Sequence, residues 1–233
     1  MPPRVVVLHG WSNTVEPLDF VMMGFKKLTG DLFFPQGPLR VSEESFIAFC
    51  KKHGTPDEVI AVVSKLPHFS WWEARPVETN ADDPPGTKRY EGFEEYTLPY
   101  LTSYFSQNGP FDAIVGFSQG ALLAVLLTTL AQAQPDAFSM FKTKGLCLVG
   151  SPHAVLSSQH HSILQNTKLS VPSLMLHGTM DKVCPLDEAK QILSHYVEEG
   201  HHGLVTLRLY PGAHHAPRDA ETLTAFTSWV NGL

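Results

Sequence analysis

The sequence is short of the features that mark a metal site, a disulfide scaffold, a nucleotide cradle or a membrane span. It has three cysteines, Cys50, Cys147 and Cys184, odd in number, widely spaced and without a Cys-x-x-Cys pair. That pattern argues against both a zinc ribbon and a disulfide framework. Twelve histidines include the pairs 160/161, 201/202 and 214/215, but none has His-x-x-x-His spacing with a third ligand nearby. No metal is therefore expected. Neither Gly-x-x-x-x-Gly-Lys-Ser/Thr nor Gly-x-Gly-x-x-Gly follows a candidate strand, so no nucleotide cofactor is expected either. Positive charge is in deficit, with a formal net charge of −6. Such a surface repels a phosphate backbone, which argues against a nucleic-acid partner. The longest apolar run, near 121–130, is about half of the ~20 residues that a membrane span needs. The apolar stretch 5–8 is too short for the core of a signal peptide. The expectation is a soluble protein of a reducing compartment, with the cytosol as default location. No internal repeat and no low-complexity tract is visible.

What is present is the balance of one globular domain. The 233 residues are 43% hydrophobic and 17% charged, and a chain of that size buries roughly 70% of its unfolded surface. Apolar, β-branched runs bounded by turn residues predict strands at 4–8, 31–34, 111–116, 145–149, 172–176 and 204–210. Helical spacing falls at 17–28, 92–105, 119–132, 186–197 and 217–230, with Pro99 marking a bend or restart in the second of these. Strand–helix alternation predicts an α/β fold with a mostly parallel sheet and helices on both faces. Ligands of such sheets sit at the carboxyl ends of the strands. The stretch 36–90 breaks the rhythm. It holds helical pieces at 42–53 and 56–63, Trp71 and Trp72, and a polar run at 79–89. A structureless loop of that length does not fit a compact domain, so 36–90 is expected to be an inserted cap or flap. Its aromatic residues, Phe46, Phe49, Phe69, Trp71 and Trp72, are candidates for the wall of a ligand pocket under that cap, with core packing as the competing role of the two tryptophans.

Gly116-Phe117-Ser118-Gln119-Gly120 fits Gly-x-Ser-x-Gly between a β-run and an apolar helix, the strand–turn–helix setting that a nucleophilic serine requires. The sharp turn strains Ser118, and the glycines let strand and helix approach closely. The helix N-terminus then points free N–H groups at developing negative charge. The competing role for Ser118 is an ordinary helix N-cap. A serine hydroxyl needs a base, and in this fold an acid and then a histidine follow it in the chain. Asp181, just after the strand 172–176, fits the acid, with Asp187 and Glu188 as rivals. His214 and His215, after the strand 204–210, compete for the base. The backbone N–H groups of Gln119 and of Trp11, on the loop after the first strand, are the expected oxyanion donors. The alternative to an enzyme is a catalytically silent binding protein on the same fold.

The blocks 109–121, Leu8-His9-Gly10, Trp71-Trp72, His177-Gly178 with Asp181, and Pro211-Gly212-Ala213-His214 closing with Pro217 resemble the fungal and animal "family of serine hydrolases" within the α/β-hydrolases, over nearly the whole chain. Ala213 stands where the family has a second glycine, the segment before Trp71-Trp72 is longer, and residues 35–38 match only loosely. The resemblance selects His214 over His215. It implies carboxylesterase or thioesterase chemistry on a small-molecule acyl ester or thioester, without metal or organic cofactor.

Overall fold

Alternation within the strands decides the layering. The computed structural model describes residues 1–13, 31–76, 88–152, 166–196 and 204–233; the helix expected at 17–28 lies outside them. Six strands form one sheet, β1 (Arg4–Leu8), β2 (Asp31–Phe33), β7 (Ala113–Phe117), β8 (Gly145–Val149), β9 (Ser173–Gly178) and β10 (Val205–Tyr210), in the order β10-β9-β8-β7-β1-β2. Every pairing is parallel. Val6, Leu8, Ile114, Leu146 and Leu148 face one apolar core with α4 (Gln119–Ala133) and α3 (Leu98–Asn108). Val5, Val7, Ala113, Val115, Cys147 and Val149 face a second core with α7 (Ala220–Asn231). The chain is thus an α/β-hydrolase fold with helices on both faces of a parallel sheet, as the alternation predicts.

Small displacements from the expected element ends have local causes. The strand expected at 111–116 starts at Ala113, because Asp112 is occupied by the Arg4 N–H (2.8 Å) and Lys144 (2.8 Å). The helix expected at 217–230 starts at Ala220, where Asp219 caps it by accepting from the Thr222 N–H at 2.8 Å. Pro99 opens α3 rather than bending a longer helix, after a wide turn over Phe93–Thr97. The segment 186–197 divides into α6 (Leu186–Lys190) and a tighter turn, Gln191–His195.

The segment 36–90 holds α1 (Glu43–Lys52), α2 (Asp57–Val63) and strands of two small antiparallel sheets that the sequence pattern does not reveal. One pairs β3 (Leu39–Arg40) with β4 (Phe69–Ser70), the other β5 (Glu73–Pro76) with β6 (Lys88–Glu91). Helix α1 forms because Ser42 caps it, Glu43 and Glu44 occupy its first turn and Lys51 and Lys52 its last. Of the two tryptophans, Trp71 is fully buried in the main core and Trp72 nearly so.

The chain moves outward from β1 to β2, then returns to the other side of β1 for β7. This reversal leaves a crevice at the carboxyl ends of β1 and β7. The approach there is very tight. A β-carbon on Gly120 would lie 2.2 Å from the Leu8 carbonyl oxygen, and one on Gly116 would lie 2.2 Å from that of Gly120. Gly120→Ala and Gly116→Ala are each expected to cost about 3 kcal/mol or more, since backbone on both sides cannot give way. Urea unfolding of each variant measures it; a loss below about 1 kcal/mol contradicts the close-approach argument.

His9 ends β1 with no exposed surface, and burial holds its ring down to about 4, its bond to Gly10 offsetting part of the effect. His177 is shifted in the same direction, again chiefly by burial. The unfolded chain titrates a histidine near 6.5, so it binds more protons than the fold between these values. This contribution is complete above about pH 6.5 and is lost as pH falls toward 4. On the order of 3 kcal/mol of acid destabilisation is expected from His9. Stability measured against pH should show a flatter slope in this window for His9→Gln.

Candidate active site

Ser118 sits between β7 and α4 with φ 51° and ψ −118°, a strained conformation for a residue with a β-carbon. It is held there from both sides. Its N–H donates to the Val149 carbonyl at 2.9 Å, and its own carbonyl accepts from Ala121 at 2.9 Å. Its side chain opens on a cavity of about 850 Å3 that Trp11, Gln119 and His214 also line.

The loop after β9 carries Asp181, whose side chain is almost wholly buried. Oδ2 meets Nδ1 of His214 at 2.7 Å, and Oδ1 accepts from the N–H groups of Val183 and Cys184, both at 2.9 Å. Burial by itself would raise this carboxyl. The bonds from His214, Cys184 and Val183 outweigh burial and hold it below its ordinary value. The acid and base loops are also stitched together through backbone, Thr179 N–H to the Tyr210 carbonyl at 3.0 Å and Met180 N–H to that of Gly212 at 2.8 Å. The rival acids lie on α6, and Glu188 reaches the cavity wall without meeting His214 in any described bond.

The two adjacent histidines have separate surroundings. His214 packs its ring 5.0 Å from that of Phe117 and lines the cavity. His215 is engaged in its own loop: Nδ1 faces the Ala216 carbonyl at 2.8 Å and Nε2 accepts from the Ala213 N–H at 3.3 Å. The structure therefore brings Ser118, Asp181 and His214 to one site and turns His215 away.

Trp11 and Gln119 both line the cavity, and neither backbone N–H has a described protein acceptor. Cys184 is a site residue that the motif search missed. It lines the cavity beside Ser118, and burial, reinforced by Asp181 and Glu188, pushes its thiol up so that it stays protonated. Its place three residues after Asp181 was the available signal. The far wall is apolar, with Phe46, Phe49, Val63, Leu66, Trp72 and Leu122; Trp71 and Phe69 are not part of it. Among the described residues, no group of three or more His, Cys, Asp or Glu is placed to hold a metal ion, and no helix is long and apolar enough to cross a membrane.

Comparison with known proteins places the chain in a family. A protein of Saccharomyces cerevisiae named family of serine hydrolases 3 is 26% identical over 253 residues, 99% of this chain and 84% of that protein. The human protein named esterase OVCA2 is 34% identical over 144 residues, 60% of this chain and 57% of that protein. A Schizosaccharomyces pombe protein named dihydrofolate reductase is 28% identical over 237 residues, 98% of this chain but 47% of that protein. The chain thus spans about half the length of these last two. The crystal structure of Zea mays acyl-protein thioesterase 2 superposes with a TM-score of 0.60 at 14% identity, covering 100% of this chain and 94% of that one, which shows the fold. The profile of the family described as Serine hydrolase (FSH1) matches residues 1–226, and the chain belongs to that family.

Proposed function

We propose that this member of the serine hydrolase family cleaves carboxylic esters or thioesters of acyl substrates, with Ser118 as nucleophile, His214 as base and Asp181 as the group that orients the base. The observation that carries the reading is the 2.7 Å contact between His214 and a buried, otherwise satisfied Asp181, facing the same cavity as the strained Ser118. With its Nδ1–H donated to Asp181, a neutral His214 presents the lone pair of Nε2. It takes the Ser118 proton as Oγ attacks the substrate carbonyl. The N–H groups of Trp11 and Gln119 receive the oxyanion, with the N-terminus of α4 behind it. The intermediate collapses, His214 protonates the departing alkoxide or thiolate, and an acyl group remains on Ser118. Water enters, gives its proton to His214 and attacks the acyl carbonyl. A second collapse returns the proton to Ser118 and frees the acid. The apolar wall suits an acyl chain, and esters and thioesters pass through the same acyl-enzyme.

A fluorophosphonate probe is expected to label the wild type and to fail on Ser118→Ala. Asp181→Asn should lower turnover of a p-nitrophenyl ester by orders of magnitude, about 10⁴ where the same orienting role has been removed elsewhere, while Asp187→Asn stays near wild type. His214→Ala should lose nearly all turnover and His215→Ala should keep most of it. Labelling of Ser118→Ala, or a dead His215→Ala beside an active His214→Ala, removes the assignment.

The cavity wall yields a separate expectation. Enlarging Val63 to Phe should shift preference toward shorter acyl chains, and Phe49→Ala toward longer ones, across a series of p-nitrophenyl and acyl-thioester substrates. Each site lies on the outer helices, so the melting temperature should move little. A chain-length profile unchanged in both variants contradicts an acyl chain in this cavity.

A further inference from the structure

The two peptides proposed to hold the oxyanion are tied by side chains to the inserted segment, and one tie fixes a peptide's direction. Gly37 donates its N–H to Nε2 of His9 at 2.8 Å. A backbone N–H can only donate, so Nε2 carries the lone pair and the ring proton is on Nδ1. Nδ1 lies 2.8 Å from the Gly10 carbonyl oxygen and therefore donates to it. The Gly10–Trp11 peptide is trans, so its N–H runs opposite to its C=O. With that carbonyl drawn toward a fully buried imidazole, the Trp11 N–H is directed away from it, to the side on which Trp11 lines the cavity. The imidazole is itself held: Trp71 stacks on it at 4.6 Å, and the Trp71 indole N–H donates to the His9 carbonyl at 2.8 Å.

The second peptide is held by its own residue's side chain. The buried Gln119 amide accepts from the Trp71 N–H at 2.9 Å and donates to the Trp72 carbonyl at 2.8 Å. Gln119 is the first residue of α4, so this two-point attachment to a fully buried chain segment fixes where its N–H stands. Two further contacts bind the rest of the loop after β1. Nδ1 of His68 lies 2.9 Å from the Ser12 carbonyl, and the Phe69 N–H donates to Asn13 at 3.2 Å.

We propose that His9 and Gln119 are positioning residues for the oxyanion hole, joining its two donor peptides to Gly37 and Trp71-Trp72 of the inserted segment so that the inner part of that segment is a component of the catalytic centre. The inference rests on the reading that Trp11 and Gln119 N–H groups receive the oxyanion. A donor peptide rotated or shifted by about an ångström loses most of its value, and removal or misplacement of one such donor costs about 10²-fold.

The test uses His9→Gln, His9→Asn and Gln119→Met in the full chain. A glutamine amide can replace Nε2 toward Gly37 but leaves the Gly10 carbonyl unheld; an asparagine amide can replace Nδ1 and hold it. Gln119→Met keeps the side chain's length and removes both bonds. Each variant is checked for cooperative thermal unfolding, then assayed with a p-nitrophenyl ester and with two inhibitors. An acyl trifluoromethyl ketone adds to Ser118 as a tetrahedral oxyanion, and the corresponding alkyl amide binds only as a ground state. For His9→Gln and Gln119→Met, kcat/KM is expected to fall about 10²-fold and the ketone's Ki to rise by the same factor, with the amide's Ki unchanged. His9→Asn should recover most of the His9→Gln loss. A purely structural role would lower the unfolding temperature without separating the two inhibitors, and that result overturns the proposal, as does wild-type kcat/KM in folded His9→Gln. Should His9→Gln fail to fold, Gln119→Met decides by the same two inhibitors. Ser118→Ala separates the layers: if it stays active, the proposed function fails, whereas an inactive Ser118→Ala beside fully active His9→Gln and Gln119→Met sinks the positioning role alone.

Discussion

The whole arrangement depends on one approach, that of the first turn of α4 to the end of β1. Gly120 is in contact with the Leu8 and His9 carbonyls at a distance that excludes any side chain. The contact forces the turn to be sharp, and the sharp turn places Ser118 at a positive φ. Strain of that kind costs about 1–3 kcal/mol. The helix behind it buries Leu122, Leu123, Val125, Leu126, Leu127 and Leu130 almost completely. At roughly 1.5–3 kcal/mol for each such side chain, that burial exceeds the strain several-fold. Ser118 is held out of its preferred conformation by the packing of that helix. Trp11 and Gln119, on the two elements that meet here, line the same cavity as Ser118, so one steric constraint underlies the proposed placement of nucleophile and oxyanion donors.

Electrostatics then distributes the roles. A buried carboxylate would ordinarily protonate, yet Asp181 has all its stronger positions filled by two backbone donors and His214, and it remains a carboxylate below its usual range. Its charge has one polar outlet, the imidazole. Cys184 supplies the contrast. It lines the same cavity as Ser118, but burial and the nearby Asp181 raise its thiol. A thiol kept protonated is a weak nucleophile, which leaves Ser118 as the group suited to the proposed role.

What could be read in the sequence was what short-range pattern controls. Apolar, β-branched runs bounded by turn residues marked the six strands of the main sheet, and the glycines flanking Ser118 marked the turn. The order of Ser118, Asp181 and His214 along the chain was also visible. The choice between His214 and His215 came from the family resemblance, which selects His214, and not from local pattern. Adjacent residues share every local signal, and the difference arises from His215 closing on Ala213 and Ala216 within its own loop. The two small antiparallel sheets formed by residues 39–91 were missed because strands of two to four residues are too short to show a period. Trp71 was ambiguous for another reason: a tryptophan can line a pocket or fill a core, and only its bond to the His9 carbonyl and its stacking on the ring decide for the core. The cysteine at position 184 carried no local signal beyond its nearness to Asp181.

The segment 36–90 divides into two parts with different physics. Its inner strands are bound into the main core through Trp71, Trp72 and Tyr90, and through hydrogen bonds to His9 and Gln119. Its outer helices, α1 and α2, rest on a small core of their own, Val41, Phe46, Cys50 and Ile60, with Val59, Val62 and Leu66 left exposed. The smaller apolar burial of the outer part makes it the less stable unit, and local opening draws on such units first. Both parts line the same cavity: Trp72 belongs to the inner one, Phe46, Phe49 and Val63 to the outer. The two parts are joined at the loop after β1. Phe49 of α1 packs its ring 4.9 Å from that of Trp11, and Phe46 stacks on His68, which itself contacts the Ser12 carbonyl at 2.9 Å and the Val63 carbonyl at 2.8 Å. A shift of the outer helices is therefore felt at Trp11 through ring packing and through His68, while the His9 and Gln119 side chains are held by the inner part alone.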